Sequence, residues 1–211
     1  MNLADILAEG IAELGLAVPP AAQQRMLDYL ALVAKWNRAY NLTAVREPGK
    51  MLTHHLLDSL AVMPHLHGPR VLDVGSGAGL PGLPLALARP ELQFTLLDAS
   101  DKKTSFLRQA VIELQPGNVE VVCARVEAWL TPVPFDTVIS RAFAEIADFV
   151  DVAGSLCASD GVMIAMKGLH PAAELERLPH PFRLQAVVAL AVPGLDAQRH
   201  IALLQPAHQT A

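Results

Sequence analysis

Val71-Leu72-Asp73-Val74-Gly75-Ser76-Gly77-Ala78-Gly79-Leu80-Pro81-Gly82 runs from an apolar strand into a glycine-punctuated turn, and Leu83 to Arg89 follows as a helix. Glycine tolerates the positive φ of a tight turn, and without a Cβ it lets the backbone come close to a ligand. Strand, glycine turn and helix together form the first half of a parallel α/β unit.

The same alternation continues downstream. Phe94 to Leu97 reads as a strand, followed by a helix carrying Phe106, Leu107, Ala110, Val111 and Leu114. Val119 to Cys123 and Thr137 to Ile139 are the next strands, then a helix from Ala144 to Cys157, a strand from Val162 to Met166, and a short helix around Ala172 to Leu178. Two late strands, Leu184 to Val192 and His200 to Leu204, are joined by a Gly194-containing link short enough for a hairpin. Seven strands in this order predict a doubly wound α/β sheet with right-handed crossovers and an antiparallel edge. Upstream, three helical patterns fill residues 1–65: Leu3 to Leu14, a second after Pro19-Pro20 with Met26, Leu30, Val33, Trp36 and Tyr40, and a third from Met51 to Met63. The expected organisation is a helical region, 1–65, packed on a core domain, 66–211.

At 211 residues, 52% hydrophobic and 18% charged, the chain can bury a sizeable core. It contains no apolar run of bilayer length. Asp5, Glu9 and Glu13 interrupt the first helix and argue against a signal peptide. Cys123 and Cys157 fall in segments read as core strand and core helix, which predicts reduced, structural thiols in a cytoplasmic protein. A net charge of −5 excludes a generic basic nucleic-acid binder. Lys35, Arg38, Arg46 and Lys50, with Glu47 the only acid among them, form the one local basic stretch. By charge alone it is either a solvated surface or an RNA-facing patch.

Asp98 closes the second strand, 19 residues beyond Gly79, where an acid can accept from both hydroxyls of an adenosine ribose. A dinucleotide would place its pyrophosphate over a helix N-terminus. Here the third glycine comes one position early, and Pro81 and Pro84 remove two amide donors near the helix start. That favours a nucleoside cofactor without phosphate, S-adenosylmethionine, over a nicotinamide dinucleotide. Asp73 is either a partner for the cofactor's amino group or a turn-stabilising carboxylate.

Four runs in this order resemble a known family: Asn41-Leu42-Thr43-Ala44-Val45-Arg46-Glu47-Pro48, His55-Leu56-Leu57-Asp58-Ser59-Leu60, the glycine loop from Leu72 to Gly82, and Ser140-Arg141-Ala142-Phe143. Together they resemble the ribosomal small-subunit methyltransferase G family, also called glucose-inhibited division protein B, from Leu3 to about Leu204. The resemblance implies a Rossmann-like class I methyltransferase sheet with a helical N-terminal extension. It implies methyl transfer from S-adenosylmethionine to N7 of guanine 527, in the 530 loop of 16S ribosomal RNA. It places the cofactor contacts on Gly75, Leu80, Val126, Glu127 and Arg141. Where family members often carry glycine, lysine and arginine after the second strand, this chain has Ala99-Ser100-Asp101-Lys102-Lys103, and Asp101 lowers the positive charge there.

Guanine N7 has a free lone pair and no proton at neutral pH, and the leaving group is a neutral thioether. No residue is therefore nominated as acid or base. The cofactor set is Gly75, Gly77, Gly79, Leu80, Asp98, Val126, Glu127 and Arg141, with Arg141 as the positioning group. Candidate substrate residues are Arg38, Arg46, Lys50, His55, Phe143, Lys167 and Arg199. For Lys167 and Arg199 the plainer alternative is surface charge; for His55 it is packing; for Phe143, a core phenylalanine. His54 and Asp58 have i,i+4 spacing, but no further ligands accompany them, so no metal is expected. The expected partner is 16S ribosomal RNA or the small subunit, bound by a monomer with no membrane attachment and no obligate protein partner. A methyltransferase acting on another nucleophile and a non-catalytic RNA-binding protein are the remaining alternatives.

Overall fold

In the computed structural model, which describes residues 2–207, five strands run parallel: β1 (Arg70–Val74), β2 (Gln93–Asp98), β3 (Val119–Cys123), β4 (Phe135–Ser140) and β5 (Cys157–Lys167). A hairpin of β6 (Phe182–Ala189) and β7 (His200–Pro206) completes the sheet, with β7 antiparallel to β5. The order is β3-β2-β1-β4-β5-β7-β6. Chain direction across the sheet reverses between β1 and β4, and such a reversal opens a crevice beyond the carboxyl ends of those strands.

Both faces of the sheet are covered, which is why its strands read as continuous apolar runs. Val71, Ile139, Val162, Ile164, Ile201 and Leu203 point to one core. Leu72, Val138, Met163, Ala202 and Leu204 alternate with them into a second. On the first face lie α1 (Leu3–Glu13), α2 (Pro20–Tyr40), α3 (Pro48–Met51), a π-helical stretch (Leu52–Leu57), α4 (Asp58–Leu60), α5 (Gly82–Ala88) and α6 (Asp101–Leu114). The second face is covered by α7 (Ile146–Ala153), and α8 (Ala172–Leu175) packs beside it. The amino-terminal helices share one continuous core with β1 and α5: Leu7, Met26, Tyr29, Leu56 and Leu60 are fully buried or nearly so.

Three details depart from the sequence expectations. The helix expected to reach Cys157 ends at Ala153; Cys157 opens β5, which is longer than Val162 to Met166 because its polar segment Ser159-Asp160-Gly161 lies beside a register shift against β4. Cys123 is exposed rather than core, since it ends the edge strand β3, whereas Cys157 is buried. The third amino-terminal helix widens into a π-turn over Leu52–Leu57. That irregularity leaves no mark in hydrophobic spacing over so few residues, and it is a frequent companion of functional sites.

Two hydrogen-bonded ties bring the amino-terminal helices to the crevice. The Tyr29 hydroxyl donates to the Ala78 carbonyl at 2.7 Å, and burial keeps this phenol protonated. Asn37, on the last turn of α2, donates to the Thr43 carbonyl at 2.9 Å and accepts from the Thr43 amide at 3.0 Å, which fixes the loop leaving α2. Tyr29→Phe should leave a buried carbonyl unpaired and lower the free energy of unfolding by about 1–2 kcal/mol. Urea denaturation should show a lower midpoint at unchanged slope. An unchanged midpoint would mean that α2 does not stabilise the glycine loop through this bond.

Candidate functional site

The glycine turn is held open by its neighbours. Gly75, Gly77 and Gly79 all take positive φ, at 70°, 59° and 93°. The amides of Gly75 and Ser76 donate to the Leu97 carbonyl at 2.8 and 3.1 Å, so the loop leans on the end of β2. Asp98, almost fully buried, accepts from Gly77 N at 2.9 Å with Oδ2 and from Ser100 N at 2.8 Å with Oδ1, and Lys103 Nζ lies 3.5 Å away. Each carboxylate oxygen retains a second lone pair for a ligand. A Cβ on Gly77 would meet nothing closer than Gly75 O at 3.8 Å, so the space above the loop is open.

Asp73 stabilises the turn. Its Oδ2 accepts from Gly82 N at 2.9 Å, and a Cβ on Gly82 would lie 2.7 Å from that oxygen. Oδ1 has no hydrogen-bond partner among the described residues. Burial pushes the carboxyl up to about 7, against the opposing pull of the Gly82 amide and Arg141.

Two hollows meet at Gly75 and Ala142. One, of about 210 Å³, has apolar walls from Leu97 and Val126, with Asp98, Glu127 and Phe143 around it. Val126 opens a single 3₁₀ turn, Val126–Ala128, and Glu127 on it is exposed. Apolar sides with a carboxylate at the base suit a flat purine and its ribose. The other hollow, of about 160 Å³, is lined by Thr43, Ser76, Gly77, Leu80 and Arg141. These cavities thus unite Gly75, Gly77, Leu80, Asp98, Val126, Glu127 and Arg141. Gly79 is buried, where a Cβ would lie 2.9 Å from Leu107 Cδ2, so it serves close packing of the loop on α6.

Beyond Arg141 lies a third hollow of about 370 Å³, lined by His54, His55, Asp58, Arg141, Lys167 and Arg199 among others. Asp58 is 1% exposed and bridges two arginines: Arg141 Nη1 donates to Oδ2 at 3.2 Å and Arg199 Nε to Oδ1 at 2.9 Å. Arg141 Nη1 also donates to the His54 carbonyl in the π-turn, at 3.1 Å. Arg199 is therefore not a free surface charge. Nor is Lys167, whose side chain is 9% exposed: Nζ donates to the Phe143 and Ala144 carbonyls and pairs with Glu174 Oε2 at 2.6 Å. The same Glu174 oxygen accepts from Ile146 N at 2.8 Å, so Lys167 ties the end of β5 to the start of α7. Phe143 is half-buried against Phe149, with ring centroids 5.2 Å apart, and borders the first hollow.

His55 is buried, with Nε2 3.0 Å from Thr43 Oγ1 and with Nδ1 unpartnered among the described residues. Burial, and then the Arg141 charge, lower it to about 4. Arg38, Arg46 and Lys50 are exposed; Lys50 lies 3.2 Å from Glu47 in a solvated pair, and Lys102 sits 5.0 Å above the Tyr40 ring. Thr43, Val45 and Asp58 also line the site, and the sequence alone nominates none of them as a binding residue. An acid inside the apolar run His55-Leu56-Leu57-Asp58-Ser59-Leu60 was the available signal for Asp58. Among the described residues no group of three or more His, Cys, Asp or Glu side chains could hold a metal ion. No helix of the described residues is long and apolar enough to cross a membrane.

Residues 22–202 match the family model described as rRNA small subunit methyltransferase G. The chain is 53% identical to ribosomal RNA small subunit methyltransferase G of Nitrosospira multiformis, across 99% of this chain and 100% of that one. The enzyme of the same name from Laribacter hongkongensis is 51% identical, across 97% and 99%. Among solved structures, the O-methyltransferase TomG of Streptomyces achromogenes in complex with SAM superposes with a TM-score of 0.60 at 15% identity, over 99% of this chain and 100% of that one. TrmN of Thermus thermophilus gives 0.54 at 18% identity, over 81% and 53%. At these identities the likeness is one of fold.

The two shifted buried groups oppose each other in acid. Unfolded His55 takes up a proton below its ordinary value of 6.5 while the folded side chain resists until about 4, so stability is lost as pH falls through that window. Asp73, raised from 3.8 to about 7, binds a proton first in the folded state and so gains stability as pH falls from 7. His55→Gln should remove only the loss. Between pH 7.5 and 5 the variant should gain about 2 kcal/mol relative to the parent, as measured by urea unfolding. Parallel pH profiles for the two proteins would show that His55 titrates normally when folded.

Proposed function

The chain belongs to the rRNA small subunit methyltransferase G family, and from that premise we propose that it transfers a methyl group from S-adenosylmethionine to N7 of guanine 527 in the 530 loop of 16S ribosomal RNA. The observation that carries this reading is a run of three adjoining hollows: a nucleoside-shaped cleft meets the glycine-loop hollow at Gly75 and Ala142, and that hollow shares Arg141 with a separate one lined by arginine and histidine. Asp98 would accept from the ribose hydroxyls. Val126 would pack on the adenine, with Glu127 or the backbone of that turn serving its amino edge. Gly75, Gly77 and Leu80 would flank the methionine portion, while Gly79 packs the loop from beneath.

When bound, S-adenosylmethionine supplies an electrophilic methyl group on a sulfonium. The protein's part is to orient the guanine, exclude water and keep donors away from N7. Orientation alone supplies on the order of 7–11 kcal/mol in well-aligned reactions. Arg141 would donate to guanine O6 or to the cofactor carboxylate; a donor on N7 would occupy the attacking lone pair. His55, neutral at physiological pH and bonded to Thr43, lends its shape to the hollow and no proton to the reaction. Phe143 offers an aromatic face to an extruded base. Arg38, Arg46 and Lys50, exposed on the α2 side, would contact phosphates. Lys167 acts through the strand and helix it ties together, and Arg199 through the hollow.

Methyl transfer to small ribosomal subunits, located by mass spectrometry of the RNA, tests the reading directly; a product at any position other than guanine N7 would overturn it. Single-turnover rates at saturating RNA and cofactor should be nearly flat from about pH 6.5 to 8.5, because no proton leaves the nucleophile. Arg141→Ala should lower the rate by about 10²-fold and leave the profile flat. A unit-slope rise below pH 7 that disappears in His55→Gln would require a histidine base and a different nucleophile.

A further inference from the structure

We propose that Asp58 is a positioning residue for this reaction: its two carboxylate oxygens divide the donors of Arg141 and Arg199 between anchoring and recognition. The inference rests on the reading that the hollow beyond Arg141 takes the target guanine. Asp58 comes from the helical segment after the π-turn, Arg141 from the end of β4, and Arg199 from the residue before β7. These arginines lie 83 and 141 residues away along the chain, and Asp58 is what joins them. Guanidinium geometry then decides what is left free. Arg141 spends Nη1 on Asp58 Oδ2 and the His54 carbonyl, so its Nε–H and Nη2 edge remains for a ligand. Arg199 spends Nε on Asp58 Oδ1 and one Nη1 hydrogen on the Gln198 carbonyl, so Nη2 remains. A point-charge cation such as lysine cannot be divided in this way.

Charge balance gives the same residue a second task. The bond between sulfur and the methyl carbon breaks as N7 donates its lone pair to that carbon. The sulfur departs with the bonding pair as a neutral thioether, and no proton moves. Guanine therefore enters neutral and becomes cationic. Two guanidinium groups alone would oppose that change. With Asp58 between them the cluster carries one net positive charge instead of two. A carboxylate that served stability alone would have little reason to be here, since well-packed apolar groups replace buried ion clusters at no loss in many proteins.

The experiment compares single-turnover methyl transfer to small ribosomal subunits by the parent and by Asp58→Asn. Rates are expressed per cofactor-competent molecule, counted from the calorimetric stoichiometry of S-adenosylmethionine binding. An asparagine keeps the shape but turns an amide donor against one arginine. The expected result is a stoichiometry near one with the rate lowered at least tenfold; a smaller loss overturns the proposal. If Asp58→Asn does not fold, Arg199→Lys decides, because it keeps the charge of the pair and loses the fork. It should bind S-adenosylmethionine like the parent and transfer methyl at least tenfold more slowly, and a smaller loss again overturns the proposal. The double variant Asp58→Asn, Arg199→Lys should be no slower than Asp58→Asn alone, as expected of residues acting as a unit. Failure of the parent itself to methylate the subunits would reject the functional reading, whereas a working parent with an indifferent Asp58→Asn rejects only the role of Asp58.

Discussion

A turn that places three glycines in left-handed backbone satisfies only part of its own peptide groups, the Gly79 and Leu80 amides on the Ser76 carbonyl, and the elements around it supply partners for others. Asp98 takes the Gly77 amide, Asp73 takes the Gly82 amide and Tyr29 supplies the Ala78 carbonyl. Those three side chains come from β2, β1 and α2. The turn after β1 is therefore where the sheet, its first crossover and the amino-terminal helices are fastened together. The reversal of strand order between β1 and β4 opens the crevice at the same place. Cofactor cleft and helical extension are consequently one structure: Thr43 and Val45, on the loop that Asn37 holds, line the crevice alongside Leu80 and Arg141.

Buried charge follows a consistent logic here. Asp98 is oriented by amides and keeps lone pairs facing the cleft. Asp73 forms no salt bridge among the described residues; burial raises its proton affinity, while the Gly82 amide bonded to it and the Arg141 charge pull the other way. Asp58 sits between two arginines, and removing one side of such a cluster costs far more than never having built it. His55 is neutral for reasons of burial and neighbouring charge. Under the proposed guanine-N7 chemistry none of these groups has a proton to move. An enzyme whose nucleophile has no proton to lose needs no acid–base pair, and its ionisable groups are free to serve geometry.

Much of this was legible in the sequence. The short continuous apolar runs alternating with helical patterns, and the glycine turn, give the sheet and its crevice, because those patterns are enforced locally. Asp98 was legible because its spacing from the glycines is set by one helix and one strand. The ends of β5 and α7 were not, since Ser159, Asp160 and Gly161 look like a loop yet lie in a strand at a register shift. Cys123 was misplaced because apolar composition does not distinguish an edge strand from a central one. Lys167 and Arg199 read as surface charge because their partners, Glu174 and Asp58, are brought to them only by the tertiary fold. The π-turn and the division of arginine donors belong to three-dimensional geometry alone.

The overall charge constrains how such a protein handles RNA. At −5, the surface as a whole repels a polyanion, and exposed Arg38, Arg46 and Lys50 supply only a short attractive edge, partly offset by Glu47. Non-specific affinity comes almost entirely from phosphate contacts, so it should be weak and salt-sensitive in this chain. The cationic groups that are most firmly oriented, Arg141 and Arg199, lie instead in the hollow, part-buried and already held in place. Preorganised donors in such a setting contribute more to discrimination than to general attraction. Under the proposed reading, weak general attraction to RNA and a hollow that takes the target base together favour release from wrong sites, and they leave selection to whichever base can enter.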